Sequence, residues 1–226
     1  MAKVAGLGKS PSTIAESLKE KSLTDTYALT GLTGGMGSGK SSVARFLCRR
    51  FPVTCMSADA VVHELLEPGR EYWQKIAALD RAFVRPDQTI DKRLLREALF
   101  GDASLRQRIN DMVHPLVRHK LREKIEHEVR EHGRKFFLIE VPLLFEADWQ
   151  EMFAQVIVVY AAREKCLTRL MARDAISAGE AENSLAAQWP LLKKALLAGH
   201  VVDNSGGWVE TSLQLLHLGE ILWGKK

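Results

Sequence analysis

The strongest chemical signal in the chain is Gly34-Gly35-Met36-Gly37-Ser38-Gly39-Lys40-Ser41. These residues fit G-x-x-x-x-G-K-[ST], the pattern of a loop that wraps phosphates. Glycines let the backbone turn tightly enough for successive N–H groups to point at phosphate oxygens. Lys40 supplies a cation for the β- and γ-phosphates, and the Ser41 hydroxyl is the expected Mg²⁺ ligand. Ser42 follows, placed to touch the α-phosphate. The context agrees, with an apolar run before the loop and a helical pattern after it. That helix begins near Lys40 and sets Val43, Phe46 and Leu47 on one face. Its N-terminus adds positive partial charge. The expected ligand is ATP with Mg²⁺; the loop alone does not name the phosphate acceptor.

Transfer to a hydroxyl needs a carboxylate that orients or deprotonates it. Asp59 stands just past the end of the second apolar run, at the edge where open α/β sheets bind ligands. It reads either as that carboxylate or as the N-cap of the helix opening at Ala60-Val61-Val62, and the two roles are compatible. Glu140 ends the third apolar run and either holds a Mg²⁺-bound water or merely faces the sheet edge. Arg169 and Arg173 lie four apart, on one face of a helix. They read as a clamp on ATP phosphates or as a solvated helix face. An N-K-x-D sequence for guanine is absent, which sets GTPases aside. The class this favours is a small-molecule kinase, which must close over its substrates to keep water from the γ-phosphate.

The elements that must hold these groups follow from five apolar runs: Tyr27 to Thr33, Val53 to Met56, Phe136 to Val141, Val156 to Tyr160, and Val201-Val202. They are β-branched and lack polar alternation, as in strands buried on both faces of a parallel sheet. Helical patterns lie between them, so the expected class is α/β, a five-stranded parallel sheet flanked by helices. The stretch from about 60 to 134 reads as an inserted helical subdomain for the substrate. Its clearest helix spans Pro115 to His132, with Val117, Leu121, Ile125 and Val129 as the apolar stripe. Pro115 is expected in the first turn and Gly133 at the stop. A lid is expected at about 169–190. Residues 1–26 form an extension before the kinase domain at 27–226. There Ser12 or Thr13 is expected to cap a short helix carrying Ile14 and Leu18. Gly8-Lys9-Ser10 imitates half a phosphate loop, but Lys3 stands where the first glycine belongs.

Composition bounds the partners. The 226 residues suit one α/β domain with an insertion, and 46% hydrophobic with 27% charged is ordinary for a globular chain. A net charge of +4 is small, and basic residues alternate with acidic ones, as in Arg122-Glu123-Lys124. This argues against nucleic acid and suits a phosphate-holding site. Three cysteines without a CxxC pair argue against a disulfide framework. No apolar run is long enough to span a membrane, and Met1 to Ser10 lack a signal peptide's apolar core. A cytoplasmic monomer or small homo-oligomer is expected.

Taken in order, several segments resemble the dephospho-CoA kinase family from about Tyr27 to the C-terminus. They are Gly31 to Ser41, Ala58-Asp59 with Glu67-Pro68-Gly69, and His114-Pro115-Leu116-Val117-Arg118. Then come Val141-Pro142-Leu143-Leu144-Phe145-Glu146, Arg169 with Arg173-Asp174, and Val201-Val202-Asp203-Asn204-Ser205-Gly206. The phosphate loop is shared by many enzymes, but the combination is specific. The resemblance implies a nucleotide-kinase-like sheet, a helical CoA subdomain and a lid, with ATP and Mg²⁺ as co-substrates. It assigns Asp59 as base toward the ribose 3′-hydroxyl of dephospho-CoA and Arg169 as a lid arginine near the phosphates. It places His114 and Arg118 in the part that holds dephospho-CoA, although a histidine before proline also reads as a structural cap. Three departures stand out. Ser57-Ala58-Asp59 replaces a common Asp-Ala-Asp, Gly199-His200 replaces a common Ala-Asp, and Phe83-Val84 stands where Phe-Gly is expected. Two other readings compete: a kinase acting on a nucleoside or sugar acid, and a non-catalytic ATP-binding protein.

Overall fold

The computed structural model of the chain describes residues 27–224. The expected N-terminal cap at Ser12 or Thr13, its helix, and the Gly8-Lys9-Ser10 string lie outside the described residues. The five apolar runs form β1 (Ala28–Gly34), β2 (Thr54–Ser57), β3 (Phe136–Glu140), β4 (Gln155–Tyr160) and β5 (His200–Asp203). They pair in parallel in the order β2-β3-β1-β4-β5. Burial on both faces explains the lack of polar alternation. Phe137, Ile139, Val156 and Val158 face one core, while Leu32, Leu138, Ile157, Val159 and Val202 face the other.

The second core is closed by α1 (Lys40–Arg50), through Val43 and Leu47, and by α9 (Trp208–Trp223), through Leu215, Leu218 and Trp223. Cys48 and Cys55 stand side by side with Cα atoms 6.1 Å apart, because the last turn of α1 runs back beside β2. Cys166 is free and buried.

The first core lies under the helices between β2 and β3: α2 (Ala58–Leu65), α3 (Glu71–Leu79), α4 (Lys92–Gly101) and α5 (Ala103–His132). Here the expected helix start is corrected. The helix begins at Ala103, where the Asp102 carboxylate accepts from Leu105 N–H at 2.9 Å, and Pro115 sits in its interior. A proline there removes one i→i−4 bond. The buried row Ile109, Val113, Val117, Leu121 and Ile125 runs unbroken past it, so apolar burial outweighs that loss. Gly133 ends the helix as expected, with φ +60° and its N–H returned to Val129 O.

After β4 come α6 (Arg163–Asp174), α7 (Ala178–Ala186) and α8 (Leu191–Leu197). A reciprocal Ser177–Glu180 capping box starts α7. No helix among the described residues is long and apolar enough to cross a membrane.

Candidate active site

The register of the sheet sets the site. Ser57 lies opposite Glu140, and Glu140 opposite Leu32, so the ends of β2, β3 and β1 open on one edge. The phosphate loop follows β1 there. Gly37 has φ +71° and lies against the Cys166 backbone, where a Cβ would collide. Gly39 has φ +94°, is the N-cap of α1, and lies against the Asn204 amide. Only glycine meets both demands. Loop carbonyls are held from outside: Asn204 Nδ2 donates to Ser38 O at 2.8 Å and Arg169 Nη1 to Gly37 O at 3.4 Å. A peptide's N–H points opposite its C=O, so the Gly39 N–H points away from Asn204, while the Ser38 N–H turns back to Gly35 O at 3.3 Å. The first donors of α1 and its positive pole lie beside them. The result is a cradle for anionic oxygens.

Lys40 Nζ donates to Gly34 O at 3.2 Å and Gly35 O at 2.9 Å. Burial lowers its pKa, opposed chiefly by the Glu140 carboxylate and less by Asp59. Ser41 Oγ donates to Glu140 Oε1 at 3.1 Å. A hydroxyl and a carboxylate converging beside a phosphate cradle form an all-oxygen donor set suited to Mg²⁺, which keeps several waters and needs few protein ligands. Ser42 is exposed in the first turn of α1, and a groove of about 570 Å³ bounded by Ser42, Arg45, Phe46 and Trp208 opens beside it.

Asp59 lies in the first turn of α2 and is exposed. Its reading as the N-cap is corrected: Ser57 caps the helix, accepting from Ala60 N–H at 3.3 Å. Among the described residues no hydrogen bond or ion pair ties the Asp59 carboxylate down, and it acts electrostatically on Lys40. Arg169 does not stand out in solvent; its Nη2 donates to Asn204 O at 2.9 Å, joining the loop to the end of β5. Arg173 is brought less close. It makes a bidentate pair with Asp174 at 2.7 and 2.8 Å.

His114 and Arg118 are brought together on α5 against Trp149, which is 3% exposed. The His114 ring meets Trp149 edge-on at 5.8 Å, and the Arg118 guanidinium lies 5.1 Å from the indole centre. Arg118 Nη2 donates to Asp148 O at 3.3 Å. Burial, then the Arg118 charge, lowers the His114 pKa. Arg118 Nε, Trp149 Nε1 and Glu146 Oε2 are buried without hydrogen-bond partners among the described residues. Unpaired buried polar atoms are uncommon and suit a place where a polar ligand completes the set.

Three residues of the site were not singled out from sequence: Trp149, Lys194 and Gln188. Lys194 is fully buried and paired with Glu146 at 2.7 Å. Gln188 takes the Met36 N–H at 3.1 Å. A lysine inside Leu191-Leu192-Lys193-Lys194 reads as a surface residue, and nothing in the pattern marks it otherwise.

Residues 28–210 match the sequence profile of dephospho-CoA kinase. This chain belongs to the dephospho-CoA kinase family. A dephospho-CoA kinase of Geobacter metallireducens is 38% identical over 189 residues, covering 83% of this chain and 93% of its own length. A solved structure from Thermus thermophilus superposes with TM-score 0.76 at 29% identity, covering 88% of this chain and 99% of that one. Dephospho-CoA kinase from Campylobacter jejuni shares the fold, with TM-score 0.62 at 24% identity, covering 85% and 96%. Ser57 stands where the dephospho-CoA kinase family commonly has Asp. Its structural task is to cap α2, which Ser and Asp do about equally well.

Proposed function

We infer that this chain transfers the γ-phosphate of ATP to the ribose 3′-hydroxyl of dephospho-CoA, giving CoA and ADP. The observation that carries the reading is the convergence, on one sheet edge, of a phosphate cradle with Lys40, the Ser41–Glu140 pair and the unpaired carboxylate of Asp59. Family membership names the acceptor. In this reading the Gly34–Gly39 loop, Lys40 and Ser42 hold the triphosphate. Ser41 and the Glu140 carboxylate would hold Mg²⁺, which would supply positive charge against the phosphates.

Asp59 orients the 3′-hydroxyl and takes its proton as the oxygen attacks. It is free for that task because Ser57 does the capping. Lys40 exchanges two loop carbonyls for phosphate oxygens and stabilises charge in the transition state. Arg169 fixes the cradle from outside, while Arg173 must leave Asp174 to reach a phosphate. His114, Arg118 and the unpaired donors around Trp149 belong to the acceptor side. The region at about 60–134 serves as the substrate subdomain and the region at about 169–190 as the lid. With a substrate of this kind the working place is the cytoplasm.

The test is ADP release with MgATP and dephospho-CoA beside a panel of nucleosides and sugar acids, with Lys40→Ala as blank. Turnover on dephospho-CoA, with CoA identified by mass, is expected. Turnover only on another acceptor overturns the assignment, and ATP binding without turnover points to a non-catalytic protein.

A further inference from the structure

The outer limb of the phosphate loop, Gly35-Met36-Gly37, is held at its glycine carbonyls by Lys40 and Arg169, which leaves the Met36 peptide to be fixed from elsewhere. Two of its residues are glycines, which sample many conformations, and a cradle works only if its donors are fixed before the charge arrives. The structure shows what braces it. The turn from α7 into α8, Gln188-Trp189-Pro190-Leu191, lies across the limb. Gln188 Oε1 accepts the Met36 N–H at 3.1 Å. Leu191 packs on Gly35, 3.5 Å from where a Cβ would stand.

The strap is itself anchored. Trp189 N–H donates to Glu146 Oε1 at 3.1 Å, and the same oxygen takes Lys194 Nζ at 2.7 Å. Lys194 Nζ also donates to Pro142 O at 3.3 Å, an oxygen that accepts Thr33 Oγ1 at 3.1 Å. Thr33 is in β1, directly before the loop. The contacts therefore close a ring: β1, Pro142, Lys194, Glu146, Trp189, Gln188, Met36. A buried ion pair contributes little net stability, because desolvating both charges offsets their attraction. What this pair supplies is a fixed position for the strap.

We propose that Gln188 is a positioning residue for phosphoryl transfer: its side-chain oxygen fixes the Met36 peptide, and the buried Glu146–Lys194 pair fixes Gln188. The proposal rests on the reading of Gly34–Ser41 as the ATP site. Gln188→Leu keeps the size and removes the acceptor, while Gln188→Glu keeps an acceptor. For Gln188→Leu, kcat is expected to fall about tenfold, the worth of one ordinary hydrogen bond, with KM for dephospho-CoA within about twofold. Amide exchange at Met36, read by NMR in methionine-labelled protein, rises at least about tenfold by the same bond, while Gln188→Glu keeps the protection. Lys194→Met with Glu146→Leu removes both charges together; if folded, it reproduces the kcat loss without touching Gln188. Unchanged kcat and unchanged Met36 exchange in Gln188→Leu overturn the proposal, as does a change confined to KM for dephospho-CoA. Should the wild-type chain phosphorylate no acceptor, the functional reading fails, and Met36 exchange still decides whether Gln188 holds the loop.

Discussion

Asn204→Ala tests how the phosphate loop is held. Asn204 is 5% exposed, and its side chain joins two elements. Nδ2 donates to Ser38 O at 2.8 Å, and Oδ1 accepts from Thr211 Oγ1 at 3.0 Å. The losses are unequal. Thr211 Oγ1 keeps Gly207 O at 3.2 Å, so its bond is replaced. Among the described residues the Ser38 carbonyl has no such substitute, and Ser38 is wholly buried. Stranding a buried acceptor costs about 1–3 kcal/mol, so about 2 kcal/mol is expected. For a chain of this length that lowers Tm by roughly 4–8 °C. Calorimetry without nucleotide reads the shift, and titration with MgATP should show weaker binding because the loop is looser. Asn204→Asp is sharper. It keeps the shape but turns an acceptor toward the Ser38 carbonyl, so it should be at least as damaging as alanine. An aspartate variant as stable as wild type, with alanine within about 0.5 kcal/mol, a surface-substitution effect, would refute the clasp.

Asp59→Asn should lower kcat by about 10²–10⁴, the usual worth of a general base, while MgATP affinity stays within about twofold. Tm should hardly move because Ser57 remains the cap; retention of more than about a tenth of the rate, far above that loss, would remove Asp59 from the mechanism. Glu140→Gln removes the carboxylate that most raises the Lys40 pKa against burial, so that pKa falls further. The alkaline limb of kcat/KM for ATP should therefore move to lower pH, and an unmoved limb would show that Lys40 does not set it. Asp91 caps α4 and is bonded to Leu94 N–H and Arg85, which lowers its pKa from 3.8 to about 2. A depressed carboxylate stabilises the fold above its unfolded pKa and loses that contribution as pH falls toward the folded one. Asp91→Ala should therefore flatten the decline of Tm between about pH 5 and 2, and an unchanged slope counts against the cap.

The strands and the phosphate loop were legible because each is a local pattern: short β-branched runs, and eight consecutive residues fixed by steric demand. Gly37 and Gly39 are glycine for reasons the motif already contains. Pro115 misled because a local start signal was set against a stripe that continued back to Ile109, and burial along 30 residues prevailed. Asp59 was ambiguous between base and cap because an aspartate just past a strand end suits both. The Ser57 hydroxyl, which takes the Ala60 N–H, removes the cap reading. Gln188 and Lys194 were illegible for a different reason. Their partners, Met36 and Glu146, are distant in sequence, and a lysine between leucines carries no sign that its ammonium is buried.

The same geometry links the two substrates. Asp59 begins α2, and the other end of that short helix is held by α5, where Glu64 pairs with Lys124 at 2.8 Å and lies 3.9 Å from Lys120. Exposed pairs such as these contribute little, so the joint rests on burial. Val61 and Leu65 of α2 share one core with Val117 and Leu121 of α5. His114 and Arg118 stand on that same stretch of α5. On the proposed reading, the Asp59 carboxylate and the groups assigned to the acceptor side therefore ride on one packed unit. The cradle is braced separately, by Asn204 and Arg169 on one side and the Gln188 strap on the other. Packed cores resist gradual deformation. On the proposed reading, an acceptor seated at Trp149 and the Asp59 carboxylate are therefore held in fixed relation through the α2–α5 core, while the phosphate site is fixed by its own braces.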